Sequence, residues 1–137
     1  MIKLPTNNPS RTRRLLHGEY EVLKHACKQN PNSWFYPLFI LAIETGMRRS
    51  ELLNIDWQNI NINNSLCRVL YSKNGEERII PLSAKAIDVL MQLPRAIKGK
   101  VFPLKKTTVR SLWETTCKKI NIKGLRFHDL RHEATSR

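Results

Sequence analysis

The chain has 137 residues, 41% of them hydrophobic and 26% charged, with a mean hydropathy of −0.42. That is enough chain for one domain around one core, and it excludes a disordered polypeptide and a disulfide scaffold; no apolar run approaches the roughly 20 residues of a helical membrane span. Lys and Arg number 24 against 11 Asp and Glu, a net charge of +13 and a pI near 10.2, which points to a polyanion such as nucleic acid as partner.

Residues 1–14, "MIKLPTNNPSRTRR", carry Pro5, Pro9 and a basic cluster, show no helical period and lack the apolar stretch of a signal peptide. They read as a linker or N-terminal arm, with the domain proper over 15–137. "GEYEVLKHACKQ", 18–29, places Tyr20, Leu23 and Cys27 on one face, with Val22 and Ala26 beside them, and predicts an amphipathic helix. "NPNS" interrupts it. Ser33 is the expected cap of a second helix over "WFYPLFILAIET", which is apolar nearly all round and should be central, with Gly46 at its C-terminus. A short helix follows in "RRSELLNI".

The period then changes to two. "DWQNINI", "SLCRVLYS" and "ERIIPLS" predict three antiparallel strands, and Asn74-Gly75 suits a type I′ turn between the last two. Helices return with "AKAIDVLMQLP", capped by Ser83 and turning Ala86, Leu90 and Leu93 inward. "VRSLWETTCKKI" follows, capped by Thr107 or Thr108, with Val109, Leu112, Trp113 and Ile120 apolar. A last helix is expected from near His128, with Leu130 and Ala134 facing the core. The fold class is α+β, mostly helical with a small three-stranded sheet. Cys27, Cys67 and Cys117 are far apart, odd in number and without a C-x-x-C, so they are expected to be buried hydrophobes in a reducing, cytoplasmic setting.

Three stretches carry chemistry. In "RFHDLRHEATSR", His128, Arg131 and His132 share one helical face, presenting a guanidinium and two imidazoles together. The pair H-x-x-x-H lacks the H-E-x-x-H pattern and a third ligand, so no metal is assigned. In "ETGMRRSELL", Arg48 stands at the mouth of a helix just after Gly46, a place suited to an anion; Glu51 lies one turn on and can orient it, and Arg49 reads as a surface arginine. In "YSKNGEER", Lys73 rides on the hairpin tip, where an ammonium can be carried into a site and donate a proton. From Arg95 onward twelve Lys and Arg stand against Glu114, Asp129 and Glu133 alone.

"TGMRRSELL", then the hairpin lysine in "SKNGEERIIPL", then "FHDLRHEATS", in that order and with a sheet between them, resemble the catalytic domain of the tyrosine recombinases, the phage integrase family. The resemblance runs from about Arg11 to Arg137, and "LRFHDLRHEATSR" looks most like phage-type and shufflon-type integrases. It implies site-specific DNA recombination or integration through a 3′-phosphotyrosyl intermediate. Arg48 and Arg131 would clamp the non-bridging oxygens of the phosphate. His128 would hydrogen-bond one of them or assist proton transfer, and Lys73 would protonate the leaving 5′-oxygen; Glu51 and His132 are supporting residues.

The same resemblance implies double-stranded DNA as partner and self-association as a tetramer on DNA in the full-length protein. It implies no metal or nucleotide cofactor, no membrane, and a cytoplasmic, bacterial or phage-encoded protein acting on DNA. The family pattern continues to a nucleophilic tyrosine, whereas Tyr20, Tyr36 and Tyr71 all lie upstream. No nucleophile is therefore assigned, and the expectation is a catalytic domain cut before its tyrosine and inactive in cleavage alone. The alternative is a DNA-binding truncated paralogue without chemistry. A basic RNA-binding protein has no use for three separated boxes, and a type IB topoisomerase shares the chemistry but not the wording of the boxes.

Overall fold

The computed structural model describes residues 14–71, 76–94, 99–131 and 133. Among the described residues five helices and one sheet follow in chain order: α1 Glu19–Gln29, α2 Phe35–Thr45, α3 Arg49–Asn54, β1 Ile60–Asn61, β2 Leu66–Tyr71, β3 Glu76–Pro81, α4 Ala84–Met91 and α5 Lys106–Lys119. A 3-10 turn over Phe127–Leu130 leads into the segment that carries Arg131. The architecture is α+β, as the change of period in the sequence implies.

α2 is the axle of the fold. Phe35 and every residue from Pro37 to Ile43 are buried, because its sequence offers an apolar side chain to every direction. α1, α3 and α4 pack around it, α1 by Leu23 and Cys27, α4 by Ala86, Val89 and Leu90. Burying a side chain of this size stabilises by about 1.5–3 kcal/mol, so α2 anchors everything that leaves its ends. An aromatic file crosses it: Tyr20 to Phe39 at 6.1 Å, Phe39 to Trp113 at 6.4 Å, Trp113 to Phe127 edge-on at 5.5 Å. Trp113 also donates from Nε1 to the carbonyl of Leu125 at 2.8 Å, satisfying its one polar atom inside the core. Phe127 is thereby fixed, and His128 follows it in the chain.

The sheet runs β1-β2-β3, antiparallel throughout, with Ile60 opposite Cys67, Cys67 opposite Ile80 and Val69 opposite Arg78. Cys67, Val69 and Ile80 are buried, while Ile79 on the other face is 53% exposed.

Several expectations are corrected. The first strand shrinks to Ile60–Asn61, because Asp56 accepts from the backbone N–H of Gln58 and turns Trp57–Asn59 into a 3-10 helix. Asp56 also takes the Gly99 N–H at 3.1 and 3.0 Å, which ties in the approach to α5. Ser33 does not cap α2; Trp34 does so without a side-chain bond, and the Oδ1 of Asn32 accepts the Trp34 N–H instead. α5 begins at Lys106 with Lys105 as its uncapped start, so neither Thr107 nor Thr108 is the cap. Val22 faces solvent. The Asn74-Gly75 turn and Ala134 lie outside the described residues, as does all but Arg14 of the arm over 1–14.

Candidate phosphate-binding site

The segment between α2 and α3 is built to hold its shape. Thr45 Oγ1 donates to the Leu41 carbonyl at 2.6 Å and accepts the Met47 N–H at 3.1 Å. Gly46, at φ 73°, takes the left-handed conformation that ends α2, and its N–H reaches the Ala42 carbonyl. Met47 is sealed in the core. With the chain before it pinned, Arg48 is left at the surface, its side chain 46% exposed.

Glu51 lies against Arg48. Its Oε1 accepts the Arg48 N–H at 2.8 Å, its Oε2 lies 3.5 Å from Arg48 Nη1, and its side chain is only 9% exposed. A third partner was not expected: Arg78, from β3, reaches Oε1 at 3.2 Å. On the other side of the segment, Arg131 Nε donates to the carbonyl of Gly46 at 2.9 Å. The structure thus brings Arg131 against the chain two positions before Arg48, across 85 positions of sequence.

Arg48 and His128 line one cleft of about 770 Å³, with Lys106, Arg110 and Arg126 among its other walls. His128 is exposed, not sealed in the core. Its neighbour Asp129 is buried and accepts the Arg126 N–H at 2.8 Å, which fixes the 3-10 turn that presents the imidazole. The cleft walls are strongly cationic, with Glu114 as their one carboxylate among the described residues. Such a surface concentrates polyanions by field as well as by contact. Arg48 and His128 share this cleft, whereas Glu51 and Arg131 touch the segment that carries Arg48 without lining the cleft. Lys73 and His132 lie outside the described residues.

Reading the chain alone missed three features. Arg49, a surface arginine by its pattern, also lines the cleft. Lys106 and Arg110 do as well, and their i,i+4 spacing at the start of α5 was a usable signal. Glu133 is buried and accepts from Arg14 Nε and from the Leu15 N–H, each at 3.0 Å; no local pattern announces a pairing over such a span. Neither Tyr20 nor Tyr36 lines the cleft. Among the described residues no three His, Cys, Asp or Glu are grouped to hold a metal, and no helix is long and apolar enough to cross a membrane.

Comparison with known proteins agrees with this fold. The family model described as "Phage integrase family" matches residues 13–137. The chain is 34% identical over 137 residues to the shufflon-specific DNA recombinase of Escherichia coli, covering all of this chain and 35% of that protein. The chain spans about a quarter to a half of the length of the curated relatives it matches. In structure it is similar to the catalytic domain of bacteriophage HP1 integrase, with TM-score 0.74 at 20% identity, covering 92% of this chain and 71% of that one. It is also similar to the Tn1549 transposon integrase in complex with a circular intermediate DNA, with TM-score 0.74 at 15% identity, covering 96% and 54%.

Proposed function

This chain belongs to the phage integrase family, and from that premise we propose that it supplies the phosphate-binding part of a site-specific DNA recombinase. The observation that carries the reading is that Arg48 and His128, eighty positions apart, line one cationic cleft.

In a strand transfer of this kind, a tyrosine oxygen attacks the scissile phosphorus while the bond to the 5′-oxygen breaks. Negative charge accumulates on the two non-bridging oxygens. Arg48 and Arg131 stabilise that charge, as cations fixed in place before the reaction act best where charge develops. Arg131 is oriented by the Gly46 carbonyl and Arg48 by Glu51. His128, exposed at the cleft, hydrogen-bonds a phosphate oxygen or moves a proton. Lys73 is the proton donor to the leaving 5′-oxygen, and His132 supports the site. The energy of the broken phosphodiester is held in the 3′-phosphotyrosyl bond, so the scheme draws on no metal or nucleotide cofactor. The nucleophile is assigned to no residue of this chain.

The DNA partner is duplex, bound by the cationic cleft, and the complete recombinase assembles as a tetramer on it in the cytoplasm. Residues 1–14 serve as the linker into the domain over 15–137. A second reading, a module that binds DNA without cleaving it, is favoured by Tyr20 and Tyr36 standing away from the cleft. Titration of labelled duplex DNA with this chain and with its Arg48→Ala and Arg131→Ala variants tests the site. The wild-type chain should bind and both variants should bind more weakly; equal affinity for all three would refute the site.

A further inference from the structure

Arg78 stands on β3 opposite the buried Val69, on the face of the sheet that also carries buried Ile80. Ile79, between them, points to solvent. An arginine on the core-facing side of a sheet is partly desolvated, and such a charge requires a counter-charge. Arg78 meets it in Glu51, 27 positions earlier, at 3.2 Å, with 33% of its side chain exposed.

Glu51 is shared between two cations, and the sharing is unequal. Oε1 is occupied by the Arg48 N–H and by Arg78. Oε2 faces Arg48 Nη1 at 3.5 Å, longer than a tight charge-assisted bond. A carboxylate this secluded, left with a single cation beside it, would close on that cation and neutralise it. With Arg78 on Oε1, Glu51 orients Arg48 without consuming its charge.

We infer that Arg78 is a positioning residue of the phosphate-binding site, which holds Glu51 on the sheet side and so keeps the Arg48 guanidinium available to an anion. The inference rests on the reading of Arg48 as a phosphate ligand. It also gives the β2–β3 ribbon a fixed register against the Arg48 segment, since one carboxylate binds both.

A double-mutant cycle tests it on the 137-residue chain. The measurement is the affinity for a labelled duplex of about 20 base pairs at roughly 50 mM salt, where phosphate contacts are strongest. Arg78→Ala should weaken binding about tenfold, and Arg78→Lys should restore it to within about threefold. In a Glu51→Gln background the Arg78→Ala change should cost no more than about twofold, because the carboxylate it restrains is gone. Circular dichroism melting establishes that each variant is folded. Should Arg78→Ala fail to fold, Arg78→Gln, which keeps a donor and drops the charge, takes its place in the cycle. Equal losses in both backgrounds would overturn the inference, as Arg78 would then touch DNA itself; no loss in either background would overturn it too. If Arg48→Ala leaves affinity unchanged, the phosphate reading fails and this inference with it. If Arg48→Ala weakens binding and the cycle is additive, only the role of Arg78 is lost.

Discussion

Arg131 donates through Nε to the carbonyl of Gly46 at 2.9 Å. This bond does two things at once. It satisfies a carbonyl at the C-terminus of α2, where helix geometry leaves acceptors without partners. It also ties Arg131 to the segment that carries Arg48.

Gly46→Ala should therefore disturb more than a turn. A side chain at φ 73° strains the backbone, and the change should destabilise the fold by about 1 kcal/mol. Denaturant titration reads the stability. DNA affinity should fall alongside it, because the anchor of Arg131 moves; a variant of native affinity would show that the anchor is dispensable.

DNA binding by this chain should be steeply salt-dependent. If six to ten phosphates are contacted, affinity should drop by roughly 10³–10⁵ between 50 and 200 mM salt. The motive is the net charge of +13 and the cations gathered at the cleft. Fluorescence anisotropy over a salt series gives the slope, and a flat slope would contradict an electrostatic interface.

In a complete recombinase built on this domain, Arg48→Ala or Arg131→Ala should lower the cleavage rate on the order of 10²–10³, as for one lost oxyanion donor. The assay is covalent adduct formation on a nicked suicide substrate, resolved by denaturing electrophoresis. The 137-residue chain alone should give no adduct in the same assay. An adduct mapping to Tyr20, Tyr36 or Tyr71 would overturn the assignment of the nucleophile to none of them.

The buried thiols set a limit at high pH. Burial pushes Cys27 up to about 12, with the neighbouring Cys117 thiol adding to it, and burial pushes Cys67 up to about 11. An unfolded thiol ionises near 8.5. Below that value both states hold the proton and the thiols cost nothing. Above it the unfolded state ionises first, so their contribution to stability is lost progressively from about pH 8.5 towards 11 and 12. Urea midpoints at about pH 8 and 10 should show the decline, and Cys27→Ala with Cys67→Ala should lessen it. Thiol reagents at neutral pH should label the native chain slowly, since all three cysteines are buried.

Much of this fold could be read from local pattern. α2 was evident from its unbroken apolar run, its end from Gly46, and the start of α4 from Ser83, which accepts the Ala86 N–H at 3.1 Å. Ser83 also donates to Glu44 at 2.7 Å, a contact over 39 positions that no periodicity contains. The same division holds at the site. Arg48, His128 and Arg131 stand in recognisable boxes; Arg48 and His128 line one cleft, and Arg131 bonds to the Gly46 carbonyl beside it. The partner of Glu51 was hidden, because "EERIIP" reads as an alternating strand in which Arg78 looks like one more solvated charge. Only the register of β3 against β2, with Arg78 opposite Val69, turns it inward. The Trp57–Asn59 turn was hidden for a related reason: a residue with a capping side chain, Asp56, outcompeted an alternating pattern.

Glu133 has a consequence in time as well as in space. By accepting from Arg14 and Leu15 it closes a ring of more than a hundred residues. Closing a free loop of that length costs roughly 4 kcal/mol in chain entropy, about as much as two bonds to one carboxylate return at roughly 1.5–3 kcal/mol each. Closed by itself, the clasp gains little. It forms only after α1, α2 and α5 have packed and shortened the path between them. It should be among the last contacts made in folding and among the first released on local opening. Arg131, two positions from Glu133, sits beside that late clasp.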